Sequence, residues 1–379
     1  MTFIATTGTN VVSPALPALG SALTLSEAQL GLIITVYTLP AIFISPIMGT
    51  LADRYGRRPV VLPSLLLFGV SGTAIAFVDS FQLILLFRLF QGIAFAGIMP
   101  LTITLIGDYY SGEWGSAAQG FRASANGVNQ IIIFPIAGFL AGILWQYAFL
   151  LYASAFLAFV IVYFYLPPVE LERVSHLSVG WNWFSRTRFA QFISNSSEVM
   201  NLTVTMLVLG GFVRFVFMFG ILTFLPLFVV RELGGSPAAA GSVLALLSVR
   251  VVISPFANQL LRMFNRLTAL AVLFIGLSVG TALIPFAPSV LWLAGLIVLW
   301  SVVDSLLGPI LADAVANSVE ASYRARVVSV FQISKNLGKT ITPVALGLLL
   351  AVSNFTVIFA VMGLSALVYG VLLAVLVRT

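Results

Sequence analysis

No cysteine occurs in the 379 residues, and histidine occurs once, at His176. The chain therefore lacks a disulfide framework, a thiolate metal site and thiol redox chemistry. One histidine in the most polar stretch also rules out a histidine proton relay inside a membrane. Charge is scarce too: 8% of residues are Asp, Glu, Lys or Arg, against 60% hydrophobic. No water-soluble globule of this length has that balance. A nucleotide-binding Gly-rich loop, a His-Glu-x-x-His zinc helix and any Cys/His cluster are missing as well. That argues against an ATP-driven pump or a membrane enzyme and gives no reason to expect a cofactor or metal.

What is present is a succession of apolar runs, each long enough to cross a hydrocarbon core of about 30 Å. They fall near residues 1–19, 29–51, 59–78, 82–106, 117–143 and 147–166, then 202–230, 237–261, 267–286, 289–313, 326–351 and 354–377. Ser13, Pro14 and Pro17 interrupt the first run, so the numbered start is expected to lie inside or just before the first span, with an upstream tail. A basic n-region and a small-residue cleavage site are both lacking, so no cleavable signal peptide is expected. Between the sixth and seventh runs, Trp181 to Phe189 mixes aromatics with arginine. It reads as an interfacial helix at headgroup level or as a plain aromatic linker.

The net charge of +6 is not a nucleic-acid signature, because the basic residues form short clusters in turns. Turns after spans 2, 4, 6, 8 and 10 and the C-terminus hold twelve arginines, from Arg54, Arg57 and Arg58 to Arg378, against only Arg231 in the opposite turns. This positive-inside bias predicts a multi-pass protein of the cell membrane with both termini cytoplasmic.

The charged turn at residues 49–58 has a worn copy at 258–266, and Arg57 and Arg266 are 209 positions apart. Pro17 and Pro226, and Pro100 and Pro309, share that offset; Pro135 and Pro343 are 208 apart. Helix-interior prolines are costly in water but tolerated in membranes, where neighbouring helices satisfy the freed carbonyls. One recurring offset predicts tandem duplication: an all-α integral membrane fold of twelve transmembrane helices in two pseudo-symmetric six-helix bundles. The expected divisions are a bundle over 1–166, a cytoplasmic linker over 167–199 and a second bundle over 200–379.

Gly49-Thr-Leu-Ala-Asp53-Arg54-Tyr-Gly56-Arg57-Arg58 resembles the signature turn of the major facilitator superfamily, and the resemblance extends over essentially the whole chain. Arg88-Leu-Phe-Gln91-Gly92 is similar to that family's Arg-x-x-Gln-Gly pattern in span 4, and Trp145-Gln-Tyr-Ala-Phe149 looks like the aromatic start of its sixth helix. The resemblance implies a monomer with a central cavity lined mainly by spans 1, 4, 7 and 10. It also implies that Asp53 meets the N-terminus of span 11, that Arg57 pairs with the acid ending span 4, here Asp108, and that these contacts hold a cytoplasmic gate shut. On chemistry alone, Gly49 suits close helix approach and Gly56 a positive-φ turn, with Asn265 the next most tolerant residue in the copy. Arg54, Arg57 and Arg58 also serve topology. The family's antiporter pattern in span 5 survives here only as Pro135 and one glycine, Gly138, with Gln130 and Phe139 at other positions, which counts against proton-coupled antiport. Pro135 and Gly138 still read as a hinge.

Five basic residues fall inside spans, Arg88, Arg214, Arg250, Lys335 and Lys339, against one deep acid, Asp304, with Asp313 nearer the cytoplasmic end. Each such charge costs about 2.5–3.5 kcal/mol at the bilayer centre and should face protein or water. Two arrangements are open. Asp304 pairs with Lys335 or Lys339 on the adjacent span, or the surplus positive charge faces the cavity and attracts an anionic or polar substrate. Arg214 is expected to touch substrate, Arg88 and Gln91 to be structural or coupling residues, and Trp300, one turn before Asp304, to share its face. Protons, if coupled, run through Asp304.

The function these features imply is secondary active transport of a small molecule by alternating access, with efflux of a small amphipathic compound or metabolite as the leading reading. Uptake or exchange of a small organic anion is the alternative. A transporter-like receptor or scaffold would need a larger soluble extension than residues 167–199 offer. The expected partners are a small-molecule substrate, the lipid bilayer and protons, with no nucleic acid.

Overall fold

The structure, a computed structural model, describes residues 1–166, 201–253, 256, 257, 259 and 264–378. The expected linker, its aromatic-basic segment and His176 lie outside the described residues, as do Asn258 and Leu260 to Met263 of the second charged turn.

Polar punctuation between apolar runs sets the helix starts. The first span, α1, is Thr2–Asn10 and Val12–Ala22, joined through Val11 at helical φ and ψ of −75° and −44°. Ser26 then opens α2 (Glu27–Tyr55) with a capping box, its side chain accepting from the Gln29 amide while Gln29 accepts from its own. The rest of this half is α3 (Arg57–Ala74), α4 (Phe81–Tyr109), α5 (Gly112–Ile143) and α6 (Trp145–Tyr165). The second half is α7 (Leu202–Arg231), α8 (Pro237–Ile253), α9 (Arg266–Ala282), α10 (Val290–Ala316), α11 (Ala321–Ala351) and α12 (Phe355–Arg378). Asn201, Ser236, Asn265 and Ser289 each accept an amide of the first turn of the helix they precede. Among the described residues, nine helices are apolar and long enough to cross a membrane. Of the other three of the twelve, α1 is interrupted at Val11, α11 carries Arg324, Arg326, Lys335 and Lys339, and α8 is described continuously only as far as Ile253. At about 1.5 Å per residue, the 32-residue α5 is longer than the hydrocarbon core is thick, so its ends reach headgroup level.

The twelve helices pack as two bundles. In the first, α4 lies against α2 and α3; in the second, α7 lies against α11 and α9 against α12. The bundles meet along α2 with α11 and along α5 with α8. Both seams depend on missing side chains. A Cβ on Gly138 would stand 2.3 Å from the Pro237 carbonyl oxygen, and one on Gly241 would stand 2.2 Å from that of Phe134. α5 runs unbroken through Pro135. Gly138, expected as a hinge, sits instead at the backbone-to-backbone approach of the two bundles.

Polar contacts reinforce the seams. The Thr35 hydroxyl donates to the Thr340 carbonyl at 2.7 Å, and the Thr340 hydroxyl donates to that of Thr38 at 3.3 Å. Glu27, which begins α2, pairs with Arg231, which ends α7. All of these contacts sit in the half of the molecule away from the charged turns. Toward those turns, Gly49, Gly107 and Gly120 meet open space, and Tyr55, Trp114 and Phe121 are exposed. The cleft between the bundles therefore opens toward the charged turns.

Bulk at the α5–α8 seam should part the bundles there. With spin labels at the ends of α2 and α7, Gly138→Leu is expected to lengthen the distance between Glu27 and Arg231 positions; an unchanged distribution would contradict this packing.

Candidate functional site

Charged side chains collect in three places, and the charged-turn end is the simplest. Gly56 takes φ +96° between α2 and α3, the turn geometry that favours glycine. It starts α3 at Arg57, whose Nε reaches Asp108 at the end of α4 at 3.1 Å, while Nη1 contacts Asp53 one turn earlier. The second half repeats the arrangement, with Arg266 at the start of α9 and Asp313 near the end of α10 paired at 2.9 Å. The duplicated turns thus make duplicated ion pairs, each within its own bundle.

Three details differ from the sequence expectations. Asp53 is exposed and pairs with Arg57 rather than meeting the start of α11, because the bundles are parted at this end. Gly49 has nothing within 4 Å of a built Cβ, so no close helix approach occurs there. Asn265 has φ −67° and works as an N-cap, its side chain accepting from the Thr268 amide at 2.7 Å, so the second turn has no positive-φ position there. Arg54 lies over the Tyr55 ring at 5.3 Å, and Arg58 donates to the Tyr163 carbonyl at 2.6 Å.

The second place is inside the first bundle. Arg88 on α4 is completely buried. Its Nε donates to the Ile33 carbonyl at 3.3 Å, and Nη1 donates to the Gly8 carbonyl at 3.0 Å, to the Tyr152 hydroxyl at 3.2 Å and to the Gln91 side chain. Its guanidinium also lies 4.3 Å from the centre of the Tyr37 ring. No carboxylate pairs with it among the described residues. Backbone carbonyls, a phenol, an amide and a ring face replace the counter-ion, tying α4 to α1, α2 and α6. Beside it, Asn129 on α5 accepts from Asn10 at 2.5 Å and donates to Thr7 at 2.9 Å, so α1 and α5 are joined by a buried polar cluster that the sequence reading did not single out. Its sequence signal was a run of polar residues inside each of two spans, Thr6, Thr7, Thr9 and Asn10 in one and Asn126, Asn129 and Gln130 in the other.

The third place is the second bundle. Arg214 on α7 grips Asp304 on α10 with both arms, Nε to Oδ1 at 2.8 Å and Nη2 to Oδ2 at 3.0 Å. Asp304 is therefore not the partner of Lys335 or Lys339, and the Arg214 guanidinium is engaged by protein. A planar guanidinium matches both carboxylate oxygens at once, which a lysine ammonium cannot do. Trp300 does not join this pair: its indole N–H donates to the Thr281 hydroxyl on α9 at 3.0 Å. Among other aromatics of the spans, Phe134 and Phe217 are wholly buried core, and Trp292 is exposed. Lys335 and Lys339 lie instead against rings, Lys335 at 5.2 Å from Phe215 and 5.1 Å from Phe331, and Lys339 at 5.0 Å from Phe215.

Comparison with known proteins agrees with this arrangement of duplicated bundles. A profile of the Major Facilitator Superfamily matches residues 1–338 and 207–379. The chain belongs to the major facilitator superfamily. As a member of that superfamily it is a multi-pass membrane transporter, not an enzyme. It is 38% identical to the bacillibactin exporter of Bacillus subtilis over 144 residues, 36% of this chain and 36% of that protein, so the match spans about a third of that relative. The MFS-type transporter YwfA of Bacillus subtilis is 23% identical over 346 residues, 89% of this chain and 80% of the relative. The quinolone resistance protein NorA of Staphylococcus aureus is 30% identical over 139 residues, 37% of this chain and 36% of NorA. In fold, the nucleoside transporter NupG superposes with a TM-score of 0.73 at 15% identity over 100% of this chain and 98% of that one. The D-xylose-proton symporter superposes with a TM-score of 0.69 at 17% identity over 97% and 96%.

Breaking a buried pair by removing one partner leaves an uncompensated charge. Arg214→Leu is expected to destabilise the second bundle by about 3 kcal/mol. Arg214→Leu with Asp304→Leu should recover much of that loss. Thermal unfolding in detergent checks both; equal losses in the single and double variants would contradict a mutual pair.

Proposed function

We propose that the chain is a secondary transporter of the cell membrane that exports a small amphipathic compound or metabolite by alternating access. The observation that carries this reading is the pairing of seams closed at one end with a cleft open at the charged-turn end. The positive-inside rule assigns the charged turns to the cytoplasm, so the cleft faces inward, the state in which an exporter loads its cargo and an importer releases it, with both termini cytoplasmic; the export direction leans on the relatives named below. The largely apolar helices and the relatives named for bacillibactin export and quinolone resistance support an amphipathic cargo over a sugar.

The gating logic rests on weak contacts at both ends. Exposed or half-exposed ion pairs contribute only about 0–1 kcal/mol each, so they can be exchanged without a large barrier. In this reading Glu27–Arg231 and the Thr35, Thr38 and Thr340 hydrogen bonds hold the outer gate closed. Arg57, Asp53 and Asp108, with Arg54, Gly49 and Gly56 shaping the turn, are parted from the other bundle and would meet α11 when the cytoplasmic gate closes. Pro135 and Gly138 lie on the α5–α8 seam, which would slide or open as the bundles rock. Arg88 and Gln91 keep the first bundle rigid. Coupling to protons would run through Asp304, since protonating it removes the charge that holds Arg214 and frees a cation inside the second bundle. The working unit is a monomer.

Inside-out vesicles containing the protein are expected to accumulate at least one member of a panel of amphipathic aromatic compounds saturably. Transport confined to sugars and nucleosides would refute the export reading. Asp304→Asn is expected to abolish accumulation driven by a pH gradient while leaving counterflow intact; undiminished coupling in that variant would sink the assignment. Glu27→Gln should raise the reactivity of a cysteine placed at Thr35 toward an impermeant reagent added from the outer side, and no change would show that the pair does not latch that gate.

A further inference from the structure

The charge balance of the second bundle is left open by the function above. The Arg214–Asp304 pair has two further cations near it, Arg250 on α8 and Lys335 on α11, and Lys339 stands beside Lys335. Both carboxylate oxygens are taken by Arg214. Arg250 is within electrostatic reach of Asp304 and Arg214, and Lys335 is within reach of Lys339 and Arg214. The one carboxylate of this cluster is thus taken up by Arg214, and neither lysine has a carboxylate or hydrogen-bond acceptor among the described residues.

The two lysines are four residues apart, so they share one face of α11, and the Phe215 ring lies against both. A ring face compensates an ammonium only in part. Lys339 has one such ring, shared with Lys335, and the repulsion between the two lysines adds to the cost each cation carries at bilayer depth. The site is therefore under-compensated when empty. It is also reachable. Thr340, one residue past Lys339, carries the hydrogen bonds that tie α11 to α2, and both lysines lie on the charged-turn side of it, where the cleft is open. Both are half-buried, as expected for groups at the wall of a cleft.

We propose that Lys335 and Lys339, with Phe215 and Phe331, form an anion site on the second bundle that receives the carboxylate or sulfonate-like end of an aromatic or apolar ligand. The ammonium pair neutralises the anion, and the rings that now face the lysines supply the apolar surface beside it. Arg214 and Arg250 add to the positive potential without having to release Asp304. This rests on the transporter reading and narrows its cargo to amphipathic compounds with an anionic group. It also gives the organic-anion alternative a physical location.

The test uses three probes of one shape with the full-length protein in detergent: 2-naphthalenesulfonate, its neutral sulfonamide, and the cationic 2-naphthylmethyl trimethylammonium. Equilibrium dialysis is expected to show the sulfonate binding about tenfold tighter or better than the sulfonamide, with the cation weakest. Lys335→Gln with Lys339→Gln should remove that preference, leaving sulfonamide binding unchanged, and Lys339→Arg should keep it. Unaltered sulfonamide binding also shows that the variant is folded. Equal binding of sulfonate and sulfonamide by the wild-type protein, no binding of the sulfonate, or a preference that survives the double substitution would each overturn the site. Vesicles that accumulate only neutral or cationic amphipaths would leave the export function standing and remove the anion site. Tight sulfonate binding with no vectorial transport would do the reverse.

Discussion

A bare charge at bilayer depth costs about 2.5–3.5 kcal/mol, and the arrangement of this protein's interior is the set of answers to that constraint. Arg88 meets it with carbonyls, a phenol, an amide and a ring, which makes the charge a clamp between four helices of the first bundle. Arg214 meets it with a two-armed grip on Asp304, which binds α7 to α10. Lys335 and Lys339 meet it least completely, with ring faces only. The strength of compensation thus differs from one buried cation to the next, and is weakest at the proposed anion site.

The contacts between the bundles are of another kind. Gly138 and Gly241 let backbones approach across the α5–α8 seam, and threonine hydroxyls stitch α2 to α11. Close packing of small residues is the main source of helix association where no water can drive it. Such a seam can be exchanged for a similar one at the opposite end with little net change in energy, as alternating access requires. The ion pairs at the two ends, Glu27–Arg231 and the Arg57 and Arg266 clusters, contribute too little to lock either state. In the proposed cycle the barrier to rocking would be set by packing more than by charge.

The family, the twelve spans and the duplication were all legible in the chain, because each rests on period and spacing. Apolar runs of span length, one offset of 209 positions and a charged turn need no knowledge of which side chains touch. The Arg57–Asp108 pair was also accessible, since the family resemblance implies that Arg57 pairs with the acid ending span 4. The partner of Asp304 was not. α7 and α10 are apolar on nearly every face, so periodicity does not fix which way a residue points. The nearest lysines in sequence were the obvious candidates, yet the guanidinium 90 positions away has the geometry to take both oxygens. Asn129 and Gly138 were hidden for the same reason: their importance depends on what stands opposite.

The sequence by itself determined that this is a duplicated, lipid-embedded helical transporter with its basic turns on one side, because hydrophobic length and charge bias act one segment at a time. Only the tertiary structure decided which charges are neutralised, which end of the cleft is closed and which cations remain available. Those are properties of pairs of helices brought together from distant parts of the chain, and a side chain's cost or use at bilayer depth is set by the groups within a few ångströms of it.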